Sequence, residues 1–227
     1  LRLLVAILKA HDLPAFDKAV DDVLYKYDKI FFYWYPIYQT RPLLRQAFML
    51  SKEYTHLAIL CDDLIVNEES VNKILKHTEN GYGFVCGVAN VDNTPERKNM
   101  LNVSLYPTGR KRNYMYIWVE VGSEQHKWCL SQPQPIEILH MGEPFPIIRR
   151  DVAERFSFDL DDRMNGYSDP SWGCCNDVVM STEAYDLHIP IYCDFSAFFY
   201  HMKTSEAHPI PLVVGTRPPF TKFVPAT

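Results

Sequence analysis

His56-Leu57-Ala58-Ile59-Leu60-Cys61-Asp62-Asp63 is a nearly continuous apolar run that stops on two carboxylates. Such a run suits a central strand covered on both faces, as in a parallel sheet flanked by helices. In open α/β sheets, ligands bind in the crevice beyond the carboxyl ends of the strands. An acid pair there can hold a hard divalent cation, and the cation can hold phosphate. An acidic turn capping the next helix would use the same residues. Asn67 is the better cap for that helix, which leaves Asp62 and Asp63 for other work.

Outward from this run, strand and helix alternate. Residues 3–8 read as a first strand. Pro14 opens a helix whose apolar face is Phe16, Ala19, Val20, Val23, Leu24 and Tyr27. Residues 29–35 form a second strand, and Pro42 opens a helix carrying Leu43, Leu44, Ala47, Phe48 and Leu50. Beyond the acid pair, Asn67 caps a helix with Glu68 and Glu69 in its first turn, and Asn80-Gly81 end it. Residues 83–88 are the fourth strand. Strand and helix in this series predict an α/β domain built on a parallel sheet.

The pattern changes after Asn90. Residues 90–112 are polar and carry Pro95, Pro107 and Gly109, so a long functional loop is expected. Arg110-Lys111-Arg112 reads as a solvated basic turn. Residues 114–121 and 136–140 are expected strands, and Asp151 caps a short helix reaching Phe156. Asp159, Asp161, Asp162, Asn165 and Gly166 are rich in oxygen ligands but lack the spacing and terminal glutamate of a calcium loop. Residues 177–187 are helical, and 191–200 form a strand that His201 closes. From Ser205 onward five prolines mark a tail expected to wrap the surface or to be partly disordered. The expected division is one domain over 1–203 and a Pro-rich tail over 204–227.

The 227 residues carry a formal net charge of −5, which argues against a nucleic-acid partner. No CxxC pair occurs among the six cysteines, so a structural zinc site is not expected. Several cysteines fall in predicted strands, where a free thiol acts as a small hydrophobe; this points to a reducing compartment. The apolar stretches at 3–8 and 30–38 are too short to span a bilayer, so no transmembrane segment is expected in this chain. A cytoplasmic location follows, with peripheral association at a membrane left open.

Three features stand in order: Cys61-Asp62-Asp63 after an early strand, Trp172-Gly173-Cys174-Cys175-Asn176-Asp177 before a late helix, and Tyr200-His201 at a strand end. Together they resemble the GT-A glycosyltransferases, especially the family-two-like inverting group. Gly142-Glu143-Pro144-Phe145-Pro146-Ile147-Ile148-Arg149-Arg150-Asp151 is similar to that family's stretch ahead of the acceptor region. The likeness spans 1–203 in outline. Three departures stand out. Cys61 replaces the first acid of the Asp-x-Asp motif, and Asn176 replaces a glutamate before Asp177. The second strand also ends in Tyr33-Trp34-Tyr35-Pro36, where many relatives carry an acid that contacts the nucleotide base.

The resemblance implies a GT-A type, Rossmann-like, mostly parallel sheet flanked by helices, with a C-terminal portion of mixed strands. Residues 1–90 would be the nucleotide-binding half and 91–203 the acceptor half. The implied activity is metal-dependent transfer of a sugar from a UDP- or GDP-sugar to a saccharide, lipid or protein hydroxyl, with inversion. Mn2+ or Mg2+ would sit on Asp63 and His201 with Asp62 beside them, or with Asp62 turned to the ribose. Asp177 would be the general base, although Asn-Asp at a helix start also suits a plain cap. Trp172 and Asn176 would meet the acceptor. Tyr35 would stack on the base, Asp12 would contact it, and Arg45, Arg149 and Arg150 are candidates for the diphosphate. A nucleotidyltransferase would need glycines in Lys9-Ala10-His11-Asp12-Leu13-Pro14, and there are none. A metal-dependent hydrolase and a degenerate binding domain remain the alternatives.

Overall fold

The chain is described by a computed structural model over residues 1–35, 37–91, 98–105, 118–158, 176–202 and 218–227, with backbone alone at 37, 38, 118 and 176–179. The apolar runs form strands as the pattern dictates. They are β1 (Leu3–Lys9), β2 (Asp28–Tyr33), β3 (His56–Cys61) and β5 (Phe84–Ala89), with β4 a short piece at Leu64–Ile65. Between them lie α1 (Pro14–Val23), α2 (Ile37–Leu50) and α3 (Glu68–Glu79). Pro14 occupies the first turn of α1, where its missing N–H is not needed. Asn67 caps α3 by accepting from the Ser70 N–H at 2.9 Å. Pro42 departs from expectation. It lies inside α2 rather than at its start, and forfeits one helical hydrogen bond there.

The second half adds β6 (Met100–Ser104), β7 (Trp118–Glu120), α4 (Glu124–Ser131), β8 (Ile136–Ile138), β9 (His140–Met141), β10 (Ile147–Arg149) and α5 (Arg150–Ala153). After them come α6 (Asn176–Asp186), β11 (Ile191–His201) and β12 (Phe220–Val224). The main sheet has the order β12-β2-β1-β3-β10-β5-β11-β4, with β8 on β11; β7-β6-β9 make a smaller sheet. Two faces are covered. Phe16, Val20 and Leu24 of α1 and Val71, Ile74 and Leu75 of α3 pack on one side. Leu44 and Phe48 of α2, Ala153, Met180, Ala184 and the small sheet pack on the other. That double cover is why β1 is buried at every position.

Four expectations are sharpened or corrected. First, the sheet expected to be mostly parallel is mixed already at its centre. Strand β1 is parallel to β2 and β3, but β10 is inserted antiparallel between β3 and β5. Its lead-in explains how. Pro144 and Pro146 have no N–H to offer, yet their carbonyls accept from Gly87 and Ile59, each at 3.1 Å. The chain thus bridges β3 and β5 before β10 begins. Second, the stretch expected as a loop over 90–112 contains β6, while 92–97 and 106–112 lie outside the described residues. Third, the Pro-rich tail ends in a true strand, since β12 runs antiparallel along β2 from Phe220↔Tyr33 to Val224↔Lys29. Asp151 does not cap α5 either; it sits in the first turn and pairs with Arg149.

His56 enters β3 buried, with its Nδ1 2.9 Å from Thr55 Oγ1. Burial pushes its imidazole from 6.5 down to about 4. The folded pKa lies below the unfolded one, so protons favour the unfolded chain. Stability from this site is therefore complete above the unfolded value and is lost as pH falls towards about 4. Urea unfolding across this range should show that slope, and His56→Gln should flatten it.

Candidate functional site

Asp62 leaves β3 pointing towards β1. Its Oδ2 accepts the backbone N–H groups of Ala10 and His11, each at 2.6 Å. His11 Nδ1 lies 3.1 Å from Oδ1. The Asp62 N–H in turn donates to Leu8 O at 3.2 Å. These bonds clasp the carboxyl ends of β1 and β3. The carboxylate is buried and its acceptors face the turn after β1. Asp62 thus points away from Asp63, and its carboxylate meets the turn after β1.

Asp63 turns the other way. Its Oδ2 is 3.1 Å from His201 Nε2. The backbone holds both residues in place, because β4 pairs with the end of β11 and the Met202 N–H donates to Asp63 O at 2.7 Å. His201 Nδ1 lies 2.8 Å from Val91 O and 3.1 Å from Asn90 O. A carbonyl can only accept, so Nδ1 carries a proton. Asn90 holds the histidine backbone from both sides: its Oδ1 accepts from the His201 N–H at 3.1 Å, and its Nδ2 donates to His201 O at 3.4 Å.

With Nδ1 protonated, Nε2 of the neutral ring faces a carboxylate with a lone pair. Two such groups need a proton or a cation between them. Ligands at about 2.1 Å and at right angles around an octahedral cation lie about 3.0 Å apart, close to the separation found. An imidazole and a carboxylate together are donors that several divalent cations accept. Among the described residues no three His, Cys, Asp or Glu side chains gather closely enough to hold a metal ion. A cation on Asp63 and His201 would therefore complete its shell with water and ligand oxygens, as magnesium commonly does.

Other expected residues are dispersed. Arg45 donates through Nε to Phe156 O at 2.9 Å, tying α2 to the segment after α5. Arg150 donates to the carbonyls of Tyr54, Phe48 and Ser51, and its guanidinium lies 4.1 Å from the Phe48 ring centre. It belongs to the amino end of β3, opposite the acid pair, and Arg149 is committed to Asp151 and Gly81 O. Tyr35 packs edge-on to Phe32 and meets Thr221 of β12 through its hydroxyl at 3.4 Å. Asp12 stays near the carboxyl end of β2, where burial, then Asp17 and Asp12, push the Tyr33 hydroxyl up. Trp172 lies outside the described residues. Asn176 and Asp177 open α6, and their side chains also lie outside them.

Comparison with known proteins bears on the fold. The crystal structure of A197 from STIV is similar, with a TM-score of 0.52 and 16% identity over 89% of this chain and 82% of that one. That likeness is one of architecture. No protein-family model matches the sequence, and no curated protein matches it.

Four residues at the site were not anticipated. Asn90 directly follows a buried strand, the same signal that pointed to Asp62 and Asp63, and His11 lies two residues beyond another. Arg41 and Glu143 form a buried ion pair, with Glu143 Oε2 4.0 Å from Cys61 Sγ. Burial, then this carboxylate, push the Cys61 thiol well above its usual range. Sequence distance hid the pair, since 102 residues separate its members. A carboxylate thus stands beside Cys61, the residue ahead of the acid pair. Nearby, Trp34 holds a left-handed backbone at φ 54°, a strained conformation for a bulky residue. Its N–H is fixed on Lys9 O at 2.9 Å.

Removing the Asp62 carboxylate strands two backbone donors at the end of β1. Asp62→Ala should lower the unfolding free energy by about 3 kcal/mol. Chemical denaturation with an unchanged m-value would check it.

Proposed function

We propose that this chain is a GT-A type, inverting glycosyltransferase that uses a divalent cation to move a sugar from a nucleotide-sugar to an acceptor hydroxyl. The observation that carries the reading is the Asp63–His201 contact of 3.1 Å at the carboxyl edge of the sheet. Asp63 and His201 would hold Mn2+ or Mg2+, which stabilises the charge that grows on a leaving diphosphate. Val91 O keeps the His201 proton on Nδ1, so Nε2 presents its lone pair towards Asp63. Asp177, in the first turn of α6, takes the acceptor proton on the face opposite the leaving group. The helix N-terminus favours its anionic form. A UDP- or GDP-sugar is the donor class, and a saccharide, lipid or protein supplies the hydroxyl. No helix among the described residues is long and apolar enough to cross a membrane.

A thermal-shift screen of nucleotide-sugars with and without Mn2+, followed by product analysis, tests the reading. Nucleotide release should require the cation. Asp63→Ala and His201→Ala should each weaken the apparent cation affinity at least about tenfold. Asp177→Asn should cut kcat by about 10²–10⁴-fold. Release of free sugar in place of transfer would favour a hydrolase. Binding without turnover would favour a degenerate domain, the reading suited to Cys61 in place of the first acid.

A further inference from the structure

Consecutive acids hold histidines from two different strand ends: Asp62 holds His11 after β1, and Asp63 holds His201 on β11. What remains of the two imidazoles differs. His201 has both nitrogens engaged. His11 uses only Nδ1, at 3.1 Å and 3.2 Å from the Asp62 oxygens. Its Nε2 has no partner among the described residues and is not a buried atom. The ring keeps 17% of its surface exposed, whereas the Asp62 side chain keeps 6%.

The chemistry of the pair follows from what each atom can do. A carboxylate only accepts, so the His11 proton sits on Nδ1 and Nε2 of the neutral ring offers a lone pair. Asp62 cannot leave to meet a ligand without stranding the Ala10 and His11 N–H groups. The acid is therefore the fixed part and the imidazole the part that faces outward. Local charge selects what it meets. Lys9 pairs with Asp17, which leaves Asp12 and Asp62 as the charges at this end of β1; a net negative setting disfavours phosphate oxygens and suits a neutral O–H donor. Beside it, Tyr33 stacks on Phe220 at 4.5 Å and Trp34 lies edge-on at 5.3 Å. Strand register puts Tyr33 level with Lys9, so these rings stand two residues from His11.

We propose that His11 Nε2 accepts a hydrogen bond from a ribose hydroxyl of the donor nucleotide, with Asp62 as the positioning residue that sets its tautomer. This rests on the nucleotide-sugar reading and redistributes the roles within it, since Asp62 itself touches no ligand.

The test compares variants that separate reading from positioning. In His11→Asn the amide occupies the Nδ1 position and keeps a partner for Asp62, but nothing reaches the Nε2 position. In His11→Gln an amide oxygen reaches that position while the Asp62 contact is lost. Calorimetry on the full chain with Mn2+ would use UDP and GDP beside their 2′-deoxy and 3′-deoxy forms. The expected result is about tenfold weaker binding of the ribonucleotide by His11→Asn. Binding of one deoxy form should be unchanged, and His11→Gln should recover part of the loss. Nitrogen NMR of the free protein should show the His11 proton on Nδ1. Equal weakening for every nucleotide, no weakening, or a proton on Nε2 would overturn the role of His11 and leave the nucleotide-sugar reading standing. Failure of the unsubstituted chain to bind any of these nucleotides would remove both.

Discussion

The carboxylate of Asp62 is the constraint on which the carboxyl edge of the sheet depends. A turn leaving a buried strand carries backbone N–H groups with no ladder partner, and burial makes such groups costly. Asp62 meets two of them at 2.6 Å and orients a histidine with its other oxygen. The side chain reaches across from the neighbouring strand, so β1 and β3 end in a fixed relation. Asp63 inherits that relation. With the preceding residue anchored towards β1, the next side chain projects towards β11 and His201. One acid faces the turn after β1, and the acid beside it faces His201.

A second constraint lies on the α2 side of the sheet. Arg41 and Glu143 are buried at 2% and 7% exposure, and an ion pair at that depth is costly to break from one side. Glu143 belongs to a segment under backbone strain, since both Glu143 and Phe145 adopt left-handed angles of 58° and 54°. The strain persists because its surroundings over-determine the path. Phe145 is wholly buried, and the flanking proline carbonyls are bonded to β3 and β5. Gly142 before them packs so closely on Asn102 that a Cβ would come within 2.6 Å of its amide nitrogen. The result is a carboxylate held near Cys61 by packing rather than by local propensity.

These features show how much was legible beforehand. The apolar strands of the first half and the cap of α3 followed from period and end chemistry, because each is specified within a few residues. Strand β10 did not. Ile147-Ile148-Arg149 is three residues long and follows two prolines, so its strand character comes from partners at Ala58 and Val85. Strand β6 was hidden in polar sequence, and β12 among prolines, for the same reason. At the site, Asp63 and His201 were legible as polar residues ending apolar strands. The direction of Asp62 was not, since sequence does not reveal which of two adjacent acids faces which neighbour. The Arg41–Glu143 pair was invisible because neither member carries a local signature.

Strand β12 carries a consequence for biosynthesis. It lies against β2 although about 190 residues separate Phe220 from Tyr33 in the chain. The outer ladder of β2 is therefore satisfied by a segment that emerges from the ribosome long after β2 itself. Until then, the aromatic edge formed by Phe31 and Tyr33 stays unsheathed on a partly assembled sheet. Nascent chains of this protein pass through an interval in which that edge can pair with a stranger, and translation speed and chaperone occupancy govern how long it lasts.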